Sequence, residues 1–230
     1  MPVIHENFQY ALDEYGPVKQ IRRASNKELS QLREVLPHTL VDFIEEKGFC
    51  SFHNGLFTMC NPEEMRVVIA QVFGGDNDFH HGNCHVFGYT AFGVLYCWSD
   101  KLYNFRIELP LNVIYCRALT APENWPPRAS AEHIASGMIP DQEEADFLDV
   151  DGNPMFAACQ RVYGANDASE CYGFFPALAI AGAFGPAQDV GHIKRVKALE
   201  HFTFLAQLRQ FYLMKSFSGG LQTVRSIGAN

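Results

Sequence analysis

Four side chains that could ligate a transition metal fall within six residues of this sequence: His80, His81, Cys84 and His85. Imidazole nitrogen and thiolate sulfur are the donors zinc prefers. The order H-H-x-x-C-H has no recognised ligand spacing, and adjacent residues rarely turn toward one ion. A polar loop running into a strand, with Cys84 or His85 packed inward, accounts for the same residues. A second group, Asp149, Asp151 and Asn153, begins like a calcium loop. The glycine such a loop needs at its sharp bend is replaced by Pro154, and the closing glutamate by Gln160. A turn that caps a helix explains these residues better.

Nucleophilic and phosphate chemistry leave no trace. G-x-S-x-G, G-x-G-x-x-G and G-x-x-x-x-G-K do not occur. Glu200 and His201 form an acid-base pair on paper, but neighbours on a helix point about 100° apart, so His201 reads as a half-buried histidine. No catalytic constellation, metal or cofactor is expected.

Charge is the more informative property. The 230 residues carry a formal net charge of −8, which disfavours non-specific contact with nucleic acid or anionic lipid. The balance is uneven. Residues 119–191 hold 2 basic and 11 acidic side chains; residues 192–230 hold 6 basic and 1 acidic. Either these segments pack together, or the acidic one faces a partner. Within it, Asp141, Glu143, Glu144, Asp146, Asp149 and Asp151 form a stretch that is a solvated loop or a docking surface for a basic protein. Asp76 and Asp78, in the loop Gly74–Asp78, are a second candidate contact.

The elements that must position these residues are mixed α and β. Short helices are predicted over Glu6–Tyr15 and from a cap at Ser25 or Asn26, with Pro37 splitting the stretch in two and Gly48 ending it. Asn54-Gly55 centres a hairpin over Phe49–Cys60, and Asn61-Pro62-Glu63-Glu64 opens a helix to Phe73. Strands follow at His85–Tyr89, Gly93–Trp98, Leu102–Glu108 and Leu111–Cys116. Thr120–Arg128, with three prolines, reads as a linker. Helices are then expected at Ser130–Gly137 and Met155–Tyr163, a buried strand or tight turn at Phe174–Ile180, a strand at Ile193–Val196, and a long final helix at Leu199–Lys215. This gives an α/β chain of two closely packed subdomains, each a small, mostly antiparallel sheet flanked by helices: residues 1–119, a linker at 120–128, and residues 129–230.

No apolar run is long enough to cross a membrane, and Met1–Tyr10 lacks a secretory signal pattern. The odd count of seven cysteines, set among aromatic and aliphatic neighbours, reads as buried free thiols in a reducing cytosol.

Two stretches resemble known families. Gly48-Phe49 through Pro62, with His53-Asn54-Gly55-Leu56-Phe57, and the hairpin Phe87–Leu95 carrying T-A-F-G, resemble the GAD-like domain. Asp151-Gly152, Met155-Phe156, Cys171–Ala179 with Y-G-F-F-P-A-L, and Val196–His201 with Leu205–Leu208 resemble the domain that follows it in type VI secretion immunity proteins. The resemblance implies a non-enzymatic cytoplasmic protein that neutralises a cognate effector toxin, usually a DNase, by stoichiometric binding over its active site or DNA groove. Common motifs cannot encode specificity for one toxin, so contact residues are expected outside them, in the acidic segment first. Three other readings stay open: a metal-dependent enzyme built on His80, His81 or His85, an RNA-binding module suggested by the GAD name, and immunity to a toxin that is not a nuclease. Oligomeric state is not set by the sequence.

Overall fold

Local signals place the first elements. In the computed structural model, which describes residues 4–228, helix α1 (Glu6–Glu14) ends before Gly16-Pro17, and strand β1 (Lys19–Arg22) leads to a capping box at α2 (Asn26–Arg33). There the Ser25 hydroxyl accepts from the Glu28 N–H, and the Glu28 carboxylate accepts from the Ser25 N–H at 2.9 Å, satisfying two otherwise orphaned donors. Pro37 separates α2 from α3 (His38–Lys47), which stops at Gly48, whose φ of 80° suits glycine. Strands β2 (Phe49–Phe52) and β3 (Phe57–Met59) flank Asn54-Gly55. Asn61 caps the turn Pro62–Met65, which runs into α4 (Arg66–Phe73).

Strands β4 (His85–Thr90), β5 (Val94–Ser99), β6 (Tyr103–Glu108) and β7 (Val113–Cys116) then form an antiparallel meander. The chain leaves this sheet through α5 (Arg117–Thr120), α6 (Ala131–Ser136), α7 (Gln142–Ala145), α8 (Phe156–Tyr163), β8 (Glu170–Phe174), α9 (Leu178–Ala181), β9 (Ile193–Lys197) and α10 (Ala198–Leu208). It returns with β10 (Tyr212–Phe217), parallel to β7, and the hairpin partner β11 (Gly220–Ser226). The result is a nine-stranded sheet in the order β1-β2-β3-β4-β5-β6-β7-β10-β11 and a two-stranded sheet, β8-β9.

The expected mixed α/β class in two closely packed parts holds, but several elements differ. Strand β1 falls where none is expected, and in place of a buried strand or turn over Phe174–Ile180 the strand is β8, ending at Phe174, followed by the short helix α9 with Ile180 57% exposed. The final helix ends at Leu208, not Lys215. Phe211 and Leu213 are buried as a strand pairs onto β7, and this sheet edge outweighs the helical spacing of the sequence. The last hairpin therefore completes the first sheet, although it follows the second half in sequence. Thr120–Arg128 is docked on β6 through Trp125, whose indole N–H donates to Lys101 O at 3.3 Å and whose ring meets Tyr103 edge-on.

Both faces of the large sheet are covered, the second only in part. On one face α4 and α10 bury Val68, Ile69, Phe202 and Leu205 against Leu95, Phe105, Ile107, Ile114 and Leu213. On the other, α1, α3 and α6 cover the β2–β5 end, with Phe8, Phe43, Phe52, Phe57 and Trp98 at the centre. A third cluster ties the two-stranded sheet to the β4–β5 turn through Phe92, Phe147, Phe156, Tyr172 and Phe174.

Candidate protein-binding face

The acidic stretch is built as a short capped helix followed by a pinned loop. Asp141 caps α7, accepting from the Glu144 N–H at 2.8 Å. Glu143 and Glu144 project into solvent, and Glu144 reaches Arg106 on β6 at 3.4 Å. Asp146 turns inward, accepting from Phe147 N and Phe156 N; burial pushes its carboxyl above the usual carboxylate range. Asp149 closes the next turn, taking the N–H groups of Asp151 and Asn153 at 2.9 and 2.7 Å. Its oxygens are thus spent on the loop's own donors. The residues that resembled a calcium loop form a turn.

Between these acids lie two apolar side chains that water does not favour. Leu148 is 47% exposed and Val150 48%. Their backbone is fixed from behind: Gln188 Nε2 donates to Leu148 O at 2.8 Å, and Val150 N donates to Gln188 O at 2.9 Å. Exposed leucine and valine on a held backbone thus alternate with Asp149 and Asp151, a few residues along the chain from the exposed Glu143 and Glu144. Protein interfaces likewise set apolar anchors among polar side chains. The alternation Leu148-Asp149-Val150-Asp151 was visible in the sequence, but its exposure was not.

The acidic and basic segments scarcely neutralise each other. Among the described residues, Glu170 alone of the acids in 119–191 pairs with the basic end of the chain, meeting Arg195 at 3.4 Å and Lys197 at 3.5 Å. Of the acids at 141–151, Glu143 and Asp151 are exposed with no ion pair in the described residues, and they keep their charge turned to solvent.

Asp76 and Asp78 lie elsewhere and are engaged. The Asp76 side chain is 1% exposed and forms a two-point pair with Arg225, at 2.5 and 2.9 Å. It also accepts from the N–H groups of Gly228, Asp78 and Phe79. Asp78 holds the same guanidinium at 2.6 Å. This loop latches the end of β11, and Asp76 is withdrawn from any contact surface.

The histidine cluster disperses. His80 and His81 stack on each other in the loop, the His80 Nδ1 accepting from Gly82 N. Cys84 and His85 point into the core, where burial pushes the Cys84 thiol up to about 11 and the His85 ring down to about 4. No group of three or more His, Cys, Asp or Glu side chains able to hold a metal occurs among the described residues. All seven cysteines are buried free thiols. His201 is buried too, and desolvation lowers its pKa to about 4.

The shared motifs meet each other. Phe92 of T-A-F-G packs against Tyr172 and Phe174 of Y-G-F-F-P-A-L, at ring separations of 5.8 and 6.3 Å. Tyr172 N donates to Ala91 O at 2.7 Å. The neighbouring Gly93 holds φ at +85°, a conformation the turn requires and other residues resist. Gly173 lies beneath the His201 ring, where an added Cβ would fall 2.6 Å from Nε2. These motifs form the joint between the two parts of the chain, and they are buried apart from Phe175 and Pro176.

Comparison with known proteins agrees with this division. Residues 6–112 match the family model of the GAD-like domain, and residues 132–209 match that of the T6SS immunity protein Tdi1, C-terminal. The two matches stand in that order along the chain and do not overlap. The second match lies wholly inside the excursion between β7 and β10. The fold is similar to the crystal structure of Atu4351 from Agrobacterium tumefaciens, with a TM-score of 0.83 and 24% identity over 99% of each chain. No curated protein matches the sequence. No helix among the described residues is long and apolar enough to cross a membrane.

Proposed function

We propose that this chain is an immunity protein that binds a nuclease toxin delivered by type VI secretion and silences it in the cytoplasm by occlusion, not by chemistry. The ordered pair of family matches carries the immunity reading. The nuclease as target is supported by charge: a DNA-cleaving enzyme needs a basic groove for the phosphate backbone, and the patch around Leu148 and Val150 presents acids that complement one. Electrostatic attraction would steer encounter, and the two apolar side chains would anchor the complex.

The test is co-expression with the product of the adjacent upstream gene, co-purification, and a DNA-degradation assay. A neighbour that degrades DNA alone and is silenced at one-to-one stoichiometry supports the reading; a neighbour that neither binds nor is toxic ends it. Variants then locate the interface. Glu143→Lys with Asp151→Lys, two carboxylates without a partner in the fold, should slow association by about tenfold at low salt and lessen its salt dependence. Leu148→Ala with Val150→Ala should speed dissociation. Unchanged kinetics in both would remove the patch from the mechanism.

A further inference from the structure

We propose that the open half of the large sheet's second face binds a small aromatic anion, a phosphate or carboxylate carried on a flat apolar body. The inference is independent of the immunity reading. Helices α1, α3 and α6 cover this face at its β2–β5 end. Beyond them, four strands set one row of side chains in register: Tyr96 on β5, Arg106 on β6, Tyr115 on β7 and Met214 on β10. The row lines a cavity of about 450 Å³, which Ile134 of α6 and Met138 just after it also line. Small-molecule sites have this size and this make-up: apolar and aromatic walls with a few placed polar groups.

The charges on the cavity wall say what fits it. Arg106 lies over the Tyr115 ring at 4.8 Å, between Glu108 at 3.2 Å and Glu144 at 3.4 Å, so its charge is answered. Glu144 is the one acid lining the cavity among the described residues, and Arg106 holds it. Arg117, which opens α5, and Lys215 on β10 line the same cavity and pair with no acid among the described residues. Two unanswered cations on one hollow, in a chain of net charge −8, select an anion. A missing hydrogen bond points to the same place. Tyr96 is 7% exposed, and its hydroxyl is buried and unpaired, with the Glu144 carboxylate near it but not bonded. A buried hydroxyl without a partner is costly, and a ligand in the cavity would supply one. Tyr115, Met138 and Met214 give the flat and polarisable surfaces on which a ring packs. A bare inorganic anion would leave those surfaces in water, and an uncharged ring would leave the cations unused.

Isothermal titration calorimetry of the full chain tests this, with adenosine monophosphate and salicylate as probes and adenosine, phenol and inorganic phosphate as controls. The expected result is that one or both probes bind about tenfold or more tightly than every control, the first marking a phosphate ligand and the second a carboxylate. Arg117→Gln with Lys215→Gln should weaken that binding by about tenfold. Tyr96→Phe should weaken it too, while the melting temperature of the free chain stays level or rises, because no hydrogen bond is lost. The proposal is overturned if neither probe binds more tightly than about 1 mM, if inorganic phosphate binds as well as the probes, or if the Arg117 and Lys215 variant binds unchanged. The comparison of probes with controls on the unaltered chain decides the matter even if a variant fails to fold.

Discussion

Asp76 shows how one side chain can fix distant parts of the chain. Burial alone would raise its pKa, but the Arg225 guanidinium and the N–H groups of Gly228, Asp78 and Phe79 outweigh burial and hold it at about 2. A carboxyl held below its unfolded value stabilises the fold above about pH 4, and that contribution is lost as pH falls through about 2. Arg225→Ala would leave the buried carboxylate short of its strongest donor. We expect a loss of about 2–4 kcal/mol at neutral pH, toward the lower end because Arg225 is itself partly exposed. Urea unfolding checks this, and a change under 0.5 kcal/mol would mean that the backbone donors suffice alone. The pairing was not legible in sequence: the partners stand 149 positions apart, and Asp76 looked like one more loop acid.

At the scale of elements, the sequence was readable where signals are local. The capping box at Ser25, the hairpin at Asn54-Gly55, the Asn61 cap and the meander from His85 to Glu108 all lie where residue types and alternation put them. β10 was not readable. Leu208, Phe211, Tyr212 and Lys215 fit a helical stripe as well as a strand, and what decides between them is the open edge of β7, far upstream. The acidic segment could be found from charge alone, whereas the exposed Leu148 and Val150 within it required the fold. If β10 and β11 complete the sheet as described, a chain shortened to end at Arg209 loses its cover over β7 and exposes Ile114 and its neighbours in the core. Such a chain should be insoluble or lack a cooperative thermal transition, as calorimetry would show. A sharp transition within a few degrees of the full chain would mean that the hairpin is an accessory.

For the molecule as a whole, acid should destabilise well before the carboxylates protonate. His85 and His201 are both buried, and desolvation lowers each to about 4. The unfolded chain binds their protons near pH 6.5 while the native state refuses them. Their contribution is complete above pH 6.5 and declines as pH falls toward 4. The limiting slope is about 1.4 kcal/mol per pH unit for each histidine. Urea midpoints measured between pH 7 and pH 4.5 should fall accordingly, and His201→Phe should reduce the slope by about one proton. A flat profile would show that these rings titrate normally in the native state.

The parallel pairing of β7 with β10 carries one more implication, about time. As the chain emerges from the ribosome, the first seven strands are made long before the strand that seals their far edge. Everything matched to the immunity domain must be synthesised, and its ends brought together, before β10 can reach β7. A nascent or truncated molecule therefore exposes an unsealed sheet.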